Sequence, residues 1–347
     1  MMKFSGGLSA GLGSLQNFFQ NYSELVGTRP AVIISGEHSF KIAGQTVEKV
    51  LLQNNVSVNV MTKDVSPVLS SIENIYIAIS KMNLTKPVII GVGGGSAIDV
   101  AKAVSSKIDT DLIVVPTLLS SDAIASGYSV IWKDGKNSAI PTKPPSLIIG
   151  DYDILRREPK KFVAAGFGDM MSKVSALYDW RLSFWLGGEI YNDFAMNIAE
   201  STVDLLKKRA KDIRDMNYIG IETLFLAEVT DGYLMELSGT TRVAAGSEHL
   251  FAFALETLEN TGMHGEFCSL GTIMMSYLQS REKANIRDFL EAVGTPTNAS
   301  ELNIDSKNII KALTMAHRMR AWYTVLGTNG LSEGSAERLA RYTHVID

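Results

Sequence analysis

Five histidines occur in the chain of 347 residues, at His38, His249, His264, His317 and His344. Two of them fall in short glycine-containing windows, residues 246–249 and 262–265, and stand 15 positions apart. That spacing puts His249 at the start of a helix and His264 past its end, on the next turn of the chain. Two imidazoles and one carboxylate make a three-ligand metal site with an open position, the usual form of a catalytic metal. A lone histidine is more often a satisfied polar residue than a ligand, and spacing alone names no carboxylate. Asp169 is the candidate, because its neighbours Gly166 and Gly168 would let an aspartate approach a shared cleft.

A second chemistry is written in residues 91–96, where four glycines and Ser96 separate an apolar run from a helical pattern. Consecutive glycines let the backbone approach a ligand closely, and a helix start offers free N–H groups and a positive dipole end to phosphate oxygens. Ser96 is also a candidate N-cap. The spacing is neither the Rossmann G-x-G-x-x-G nor a Walker loop; the bland alternative is a tight turn that binds nothing. Residues 116–126 follow the next apolar run, and Thr117, Ser120, Asp122 and Ser126 could converge on the same ligand. The alternative there is a solvated loop with Asp122 as a cap.

The elements that must position these residues change character near residue 150. Before it, short apolar runs at 31–35, 58–61, 87–91 and 112–116 alternate with amphipathic stretches at 45–53, 65–82 and 96–107. This alternation predicts a parallel sheet buried on both faces. A hairpin is expected where 129–131 and 138–140 flank Asp134 and Gly135. After Asp151 the strand signal ends, and 196–213, 219–237, 247–259 and 306–326 show helical spacing. The expected fold is therefore an α/β N-terminal domain over 1–155 and an all-α C-terminal domain over 156–347, although 151–159 could belong to either.

Composition bounds the rest. The chain is 46% hydrophobic and 20% charged, a globular balance, and its length suits one to three domains. A formal net charge of −4 gives no global field for nucleic acid or anionic lipid. Cys268 is the sole cysteine, which excludes an internal disulfide and a Cys-based zinc site and fits a reducing cytoplasm. Residues 1–14 lack the apolar core of a signal peptide, and no run of 18 apolar residues exists to span a membrane.

Together the blocks 91–102, 115–126, 165–169 with Asp179 and Trp180, 246–251, 264–266 and 271–273 resemble, in order, the superfamily of iron-dependent alcohol dehydrogenases, glycerol dehydrogenase and 3-dehydroquinate synthase. Within it the chain most resembles the glycerol-1-phosphate dehydrogenase family. The resemblance implies a dehydroquinate synthase-like fold: a Rossmann-like dinucleotide-binding domain, a helical domain, and the site in the cleft between them. It implies that Gly93, Gly94, Gly95, Ser96, Ala97, Ile98 and Asp99 border the pyrophosphate of NAD or NADP. It implies that Thr117, Leu118, Leu119, Ser120 and Ser126 line the cofactor, and that Glu37 accepts a hydrogen bond from the adenosine ribose. Glu37 read without the family is a solvated loop glutamate. The resemblance implies that Asp122 faces the substrate and orients a hydroxyl or relays a proton, and that Asp169, which also borders the substrate, holds with His249 and His264 a metal, usually zinc, with iron or nickel in relatives. A homo-oligomer, dimer or octamer, is also implied.

Two positions depart from the family pattern. Gly127 stands where a proline is usual. Phe253 stands four residues after His249, where the family has a second histidine that touches substrate. Phenylalanine donates no hydrogen bond, and a missing donor to a charged group costs roughly 1.5–3 kcal/mol. Phe253 is thus a substrate-side position, and a phosphorylated ketone is expected to bind poorly unless another donor compensates; the plain alternative is core packing. The implied reaction is NAD(P)-dependent reduction of dihydroxyacetone phosphate to sn-glycerol 1-phosphate. A polyol dehydrogenase of the same superfamily and an inactive nucleotide-binding protein are the alternatives.

Overall fold

A computed structural model describes residues 6–133, 136–279 and 286–347. The chain divides into two compact units, Met1–Pro159 and Lys160–Asp347. Residues 156–159 go with the first because the Leu119 N–H donates to the buried Glu158 carboxylate, at 3.0 Å and 3.2 Å to its two oxygens.

The first unit is built on six parallel strands: β1 (Leu8–Gly11), β2 (Ala31–Ser35), β3 (Val58–Met61), β4 (Val88–Gly93), β5 (Leu112–Pro116) and β8 (Leu147–Asp151). Their order across the sheet is β1-β8-β5-β4-β2-β3. The four apolar runs expected as strands are strands, and the three inner ones are buried along their whole length. Alternation does the sorting. Ile33, Ile90 and Ile113 stand in register and pack with Leu15, Phe18, Val47 and Leu51 on one face. The opposite face takes the helix Gly95–Ile108, and Ala101 on that helix comes close to Gly91. The expected hairpin is present as β6 (Tyr128–Lys133) and β7 (Lys136–Pro141), with Val130 opposite Ala139. Its turn residues Asp134 and Gly135 lie outside the described residues.

Two strands were not legible. β1 reads Leu-Ser-Ala-Gly, too short and polar to announce itself, and it pairs only with β8 at the sheet edge. β8 sits where the sequence pattern changes, and Asp151 at its end accepts from the N–H groups of Leu15 and Asp153. The helical run before Gln45–Gln53 also begins earlier than expected, at Glu37, through a wider turn at Phe40–Gly44.

The second unit has no strand among the described residues. Its helices include Lys160–Met171, Lys173–Gly187, Asp193–Arg214, Tyr218–Ser238, Ser247–Glu256, His264–Leu278, Ile286–Val293, Ser306–Met315 and Glu333–Tyr342. The helix expected over 306–326 stops at Met315, followed by a single turn Ala316–Arg318 and irregular chain. Tertiary bonds overrule its apolar spacing: the Val325 N–H donates to Asp179 at 2.7 Å, and the Tyr323 carbonyl accepts from Arg242 at 2.8 Å. Among the described residues no helix is long and apolar enough to cross a membrane.

Candidate functional site

In the first unit, β5, β4 and β2 are neighbours, so the segments leaving their carboxyl ends lie side by side. This collects residues 94–99, residues 117–126 and Glu37, which is exposed. Gly93 has φ +151°, and a Cβ there would stand 2.8 Å from the Ala97 Cβ, so only glycine fits. The helix begins at Gly95, and the Gly94 carbonyl accepts from Ala97 and Ile98 at 3.1 Å and 3.2 Å. Gly94 is therefore the N-cap; Ser96, expected in that role, is the second residue of the helix and exposed. The Gly95 and Ser96 N–H groups donate to no acceptor among the described residues, at the end of the helix that attracts anions.

The other residues of this group divide by burial. Ile98 and Leu119 are fully buried, Ala97, Asp99, Thr117 and Ser126 nearly so, and Leu118, Ser120 and Asp122 half-buried. Asp122 opens the short turn Asp122–Ile124. Asp99 is paired with the fully buried Lys102 at 3.0 Å, and the same ammonium reaches the Ser126 hydroxyl at 3.4 Å and the Tyr128 carbonyl. Burial pushes the Asp99 carboxyl above the usual range, and the Lys102 charge pulls against it. Lys102 thus ties the helix to the loop; only its position three after Asp99 hinted at this.

In the second unit His249 and His264 come together with Asp169, the carboxylate that its glycine neighbours and the resemblance pointed to. Ligand-capable atoms of these three and of Cys268 all lie within 4.8 Å of one another. Asp169 sits near the end of helix Lys160–Met171, His249 in the first turn of helix Ser247–Glu256, and His264 at the first position of helix His264–Leu278. Gly168 acts through a close approach of backbones. A Cβ on Gly168 would lie 2.5 Å from the Gly265 carbonyl oxygen, and one on Gly265 would lie 1.9 Å from the Ala165 carbonyl oxygen. Two helix backbones touch there, and the touching residues adjoin Asp169 and His264.

Each imidazole is oriented by a carboxylate: His249 Nδ1 is 2.9 Å from Glu248 Oε1, and His264 Nδ1 is 2.6 Å from Glu256 Oε1. Carboxylates accept, so the Nδ1 atoms donate and the Nε2 atoms turn to the cluster. His249 Nε2 is 3.5 Å from Asp169 Oδ1, and His264 Nε2 is 3.4 Å from Cys268 Sγ. The cysteine that seemed irrelevant to metal chemistry therefore borders the cluster; its place four residues after His264 was the available signal. Asp179 supports the arrangement, accepting from the Ser247 N–H at 2.7 Å and so fixing the start of the His249 helix. Burial and the nearby Glu248 raise the Asp179 carboxyl to about 6.

Charges within the cluster are mutually compensated. Burial would raise the Asp169 carboxyl, but Lys173, the His249 hydrogen bond and both imidazoles hold it far below the ordinary range. Burial would lower both imidazoles, yet neighbouring Cys268 and the carboxylates lift them well above the ordinary value. Lys173 Nζ lies 3.5 Å from Asp169 Oδ1 and 3.2 Å from Asp231 Oδ2, all three groups buried. One carboxylate oxygen and two anchored Nε2 atoms are a donor set that fits a divalent transition ion, which would displace the Nε2 protons. Phe253 borders the same cluster, its ring 5.8 Å from His249 and stacked at 5.7 Å on His264.

A family model for iron-containing alcohol dehydrogenases matches residues 12–159. The NAD(P)+ glycerol-1-phosphate dehydrogenase of Thermococcus sibiricus is 38% identical over 91% of this chain and 89% of its own. That of Pyrococcus horikoshii is 35% identical over 100% of this chain and 99% of its own. Among solved structures, glycerol dehydrogenase from Schizosaccharomyces pombe superposes with a TM-score of 0.81 over 99% of this chain and 90% of that one, at 21% identity. This chain shares the fold of that structure.

Proposed function

Because the chain belongs to the glycerol-1-phosphate dehydrogenase family, we propose that it reduces dihydroxyacetone phosphate to sn-glycerol 1-phosphate with NADH or NADPH. The observation that carries the reading is the convergence of Asp169, His249 and His264, with each imidazole held by its own carboxylate.

These three residues would hold the metal, zinc in the first instance, with iron or nickel as alternatives. A bound divalent ion polarises a ketone oxygen and stabilises the negative charge that develops there. Glu248 and Glu256 keep the two Nε2 atoms aimed inward, and Asp179 fixes the helix on which His249 rides. Asp169 and His249 are buried, whereas His264 is half-buried and leaves the cluster open on its side. In the first unit the free N–H groups of Gly95 and Ser96 would take the pyrophosphate of the dinucleotide, whose nicotinamide supplies the hydride. Glu37 would accept from the adenosine ribose, which favours NADH over NADPH. Thr117, Leu118 and Ser120 would line the cofactor, whereas Ile98 and Leu119 can contribute only backbone atoms. Asp122 would orient a substrate hydroxyl and relay the proton needed at the product oxygen.

Phe253 favours a second reading, a dehydrogenase of unphosphorylated polyols, since that position offers no donor to phosphate. The deciding test is oxidation of NADH and NADPH by dihydroxyacetone phosphate and by dihydroxyacetone, with and without added zinc. Zinc-dependent turnover of the phosphorylated ketone, giving a product that an sn-glycerol-3-phosphate-specific dehydrogenase cannot oxidise, is expected. Turnover of dihydroxyacetone alone would replace the first reading with the second.

A further inference from the structure

Arg320 lies in the irregular chain that follows the turn Ala316–Arg318, where sequence periodicity had suggested helix. That chain is anchored on both sides of the arginine. The Met319 N–H donates to the Ala316 carbonyl at 3.0 Å, and the Val325 N–H donates to Asp179, the residue that also holds the His249 helix. The Arg320 guanidinium carbon stands 4.8 Å from the centre of the Phe253 ring, a cation–π contact. The ring in turn lies nearly parallel to His264, at 22°. Imidazole, phenyl ring and guanidinium form a row leading away from the metal-ligand cluster.

This row gives Phe253 a role of its own beside the cluster. A phenyl face supports a guanidinium without using any of its five N–H donors. Among the described residues the guanidinium makes one hydrogen bond, from Nη1 to the Met319 carbonyl at 3.0 Å. Glu256, the carboxylate that acts on Arg320 electrostatically, is bonded to His264 Nδ1. Arg320 is half-buried. A partly desolvated, fixed guanidinium with most of its fork unbonded is suited to bidentate binding of a phosphate. A three-carbon ketone phosphate is short enough that its phosphate would lie about one aromatic ring's width from its carbonyl.

We propose that Arg320, shelved on Phe253, is the residue that binds the phosphate of the substrate and selects a phosphorylated three-carbon ketone over the unphosphorylated one. The proposal rests on the reading of the protein as a metal-dependent ketone reductase, and it deepens that reading by supplying the donor that Phe253 lacks.

Zinc-loaded wild type, Arg320→Met and Arg320→Lys are titrated with inorganic phosphate by calorimetry and assayed with dihydroxyacetone phosphate and dihydroxyacetone. Arg320→Met should weaken phosphate binding about 10- to 150-fold. It should lower kcat/KM for dihydroxyacetone phosphate by a similar factor, chiefly through KM, and leave dihydroxyacetone within about threefold, the scatter expected for one polar contact outside the reacting atoms. Arg320→Lys keeps the charge but not the fork and should fall between; with an unchanged zinc content and melting temperature it also guards against misfolding of the methionine variant. Phosphate binding that is absent from wild type or unchanged in both variants overturns the proposal, as does a parallel loss for both ketones. A wild type that binds phosphate through Arg320 yet reduces no ketone would sustain the anion site and overturn the assigned reaction instead.

Discussion

At the residue scale, the candidate metal site depends on two imidazoles, each held by its own carboxylate. Removing either imidazole, in His249→Ala or His264→Ala, should abolish zinc binding measured by mass spectrometry of the dialysed protein. Dinucleotide affinity should stay within about threefold, because the residues proposed to hold each group belong to different units; 1.4 kcal/mol would already be a tenfold change. A variant that keeps stoichiometric zinc would show that the triad is not the metal site. Glu37 is exposed beyond β2, and a carboxylate near the ribose repels a 2′-phosphate. Glu37→Ser should raise the NADPH to NADH ratio of kcat/KM, and an unchanged ratio would remove Glu37 from cofactor choice. The sequence made His249 and His264 visible through their glycine-containing windows, and Asp169 only through its glycine neighbours and the family resemblance. It hid Glu248, Glu256, Cys268 and Arg320, because a glutamate beside a histidine, a single cysteine and an arginine after a helix are ordinary until tertiary contact puts them at one place.

Loops at the scale of elements are held by buried acids. Glu158 receives the Leu119 N–H, and burial raises its carboxyl to about 8, against 4.5 for an ordinary glutamate. A carboxyl raised in the folded state adds stability that is complete below about pH 4.5 and lost as pH climbs through about 8. Glu158→Gln, which keeps an accepting oxygen, should flatten the fall of melting temperature over that interval, an effect of up to a few kcal/mol. An identical pH profile for the two proteins would mean that Glu158 ionises freely. The strands β2 to β5 were readable from their apolar runs because parallel strands are buried on both faces. β1 was not, since its pairing with β8 comes from a chain segment more than a hundred residues away rather than from its own composition. The helix expected to continue past Met315 failed for the same class of reason: Asp179 and Arg242 take its backbone groups.

On the scale of the whole molecule, each unit has its own apolar core, and the candidate metal ligands all belong to the second. Chelation should therefore lower hydrogen-exchange protection in helices Lys160–Met171, Ser247–Glu256 and His264–Leu278 while β4 and β5 keep theirs. An ion at a hundred times its Kd contributes about 2.7 kcal/mol to the state that binds it. Uniform loss of protection across both units would contradict this. The contact between Gly168 and Gly265 also orders events in time. Asp169 and His264 are remote in the chain and are neighbours where those two backbones meet, so a complete ligand set is expected only after that contact has formed. A metal held by these residues is therefore expected to enter late, as a bolt rather than a nucleus. Zinc added during refolding should leave the rate of folding nearly unchanged and slow unfolding instead; on that outcome the metal would govern how long the native state lasts rather than how quickly it is reached.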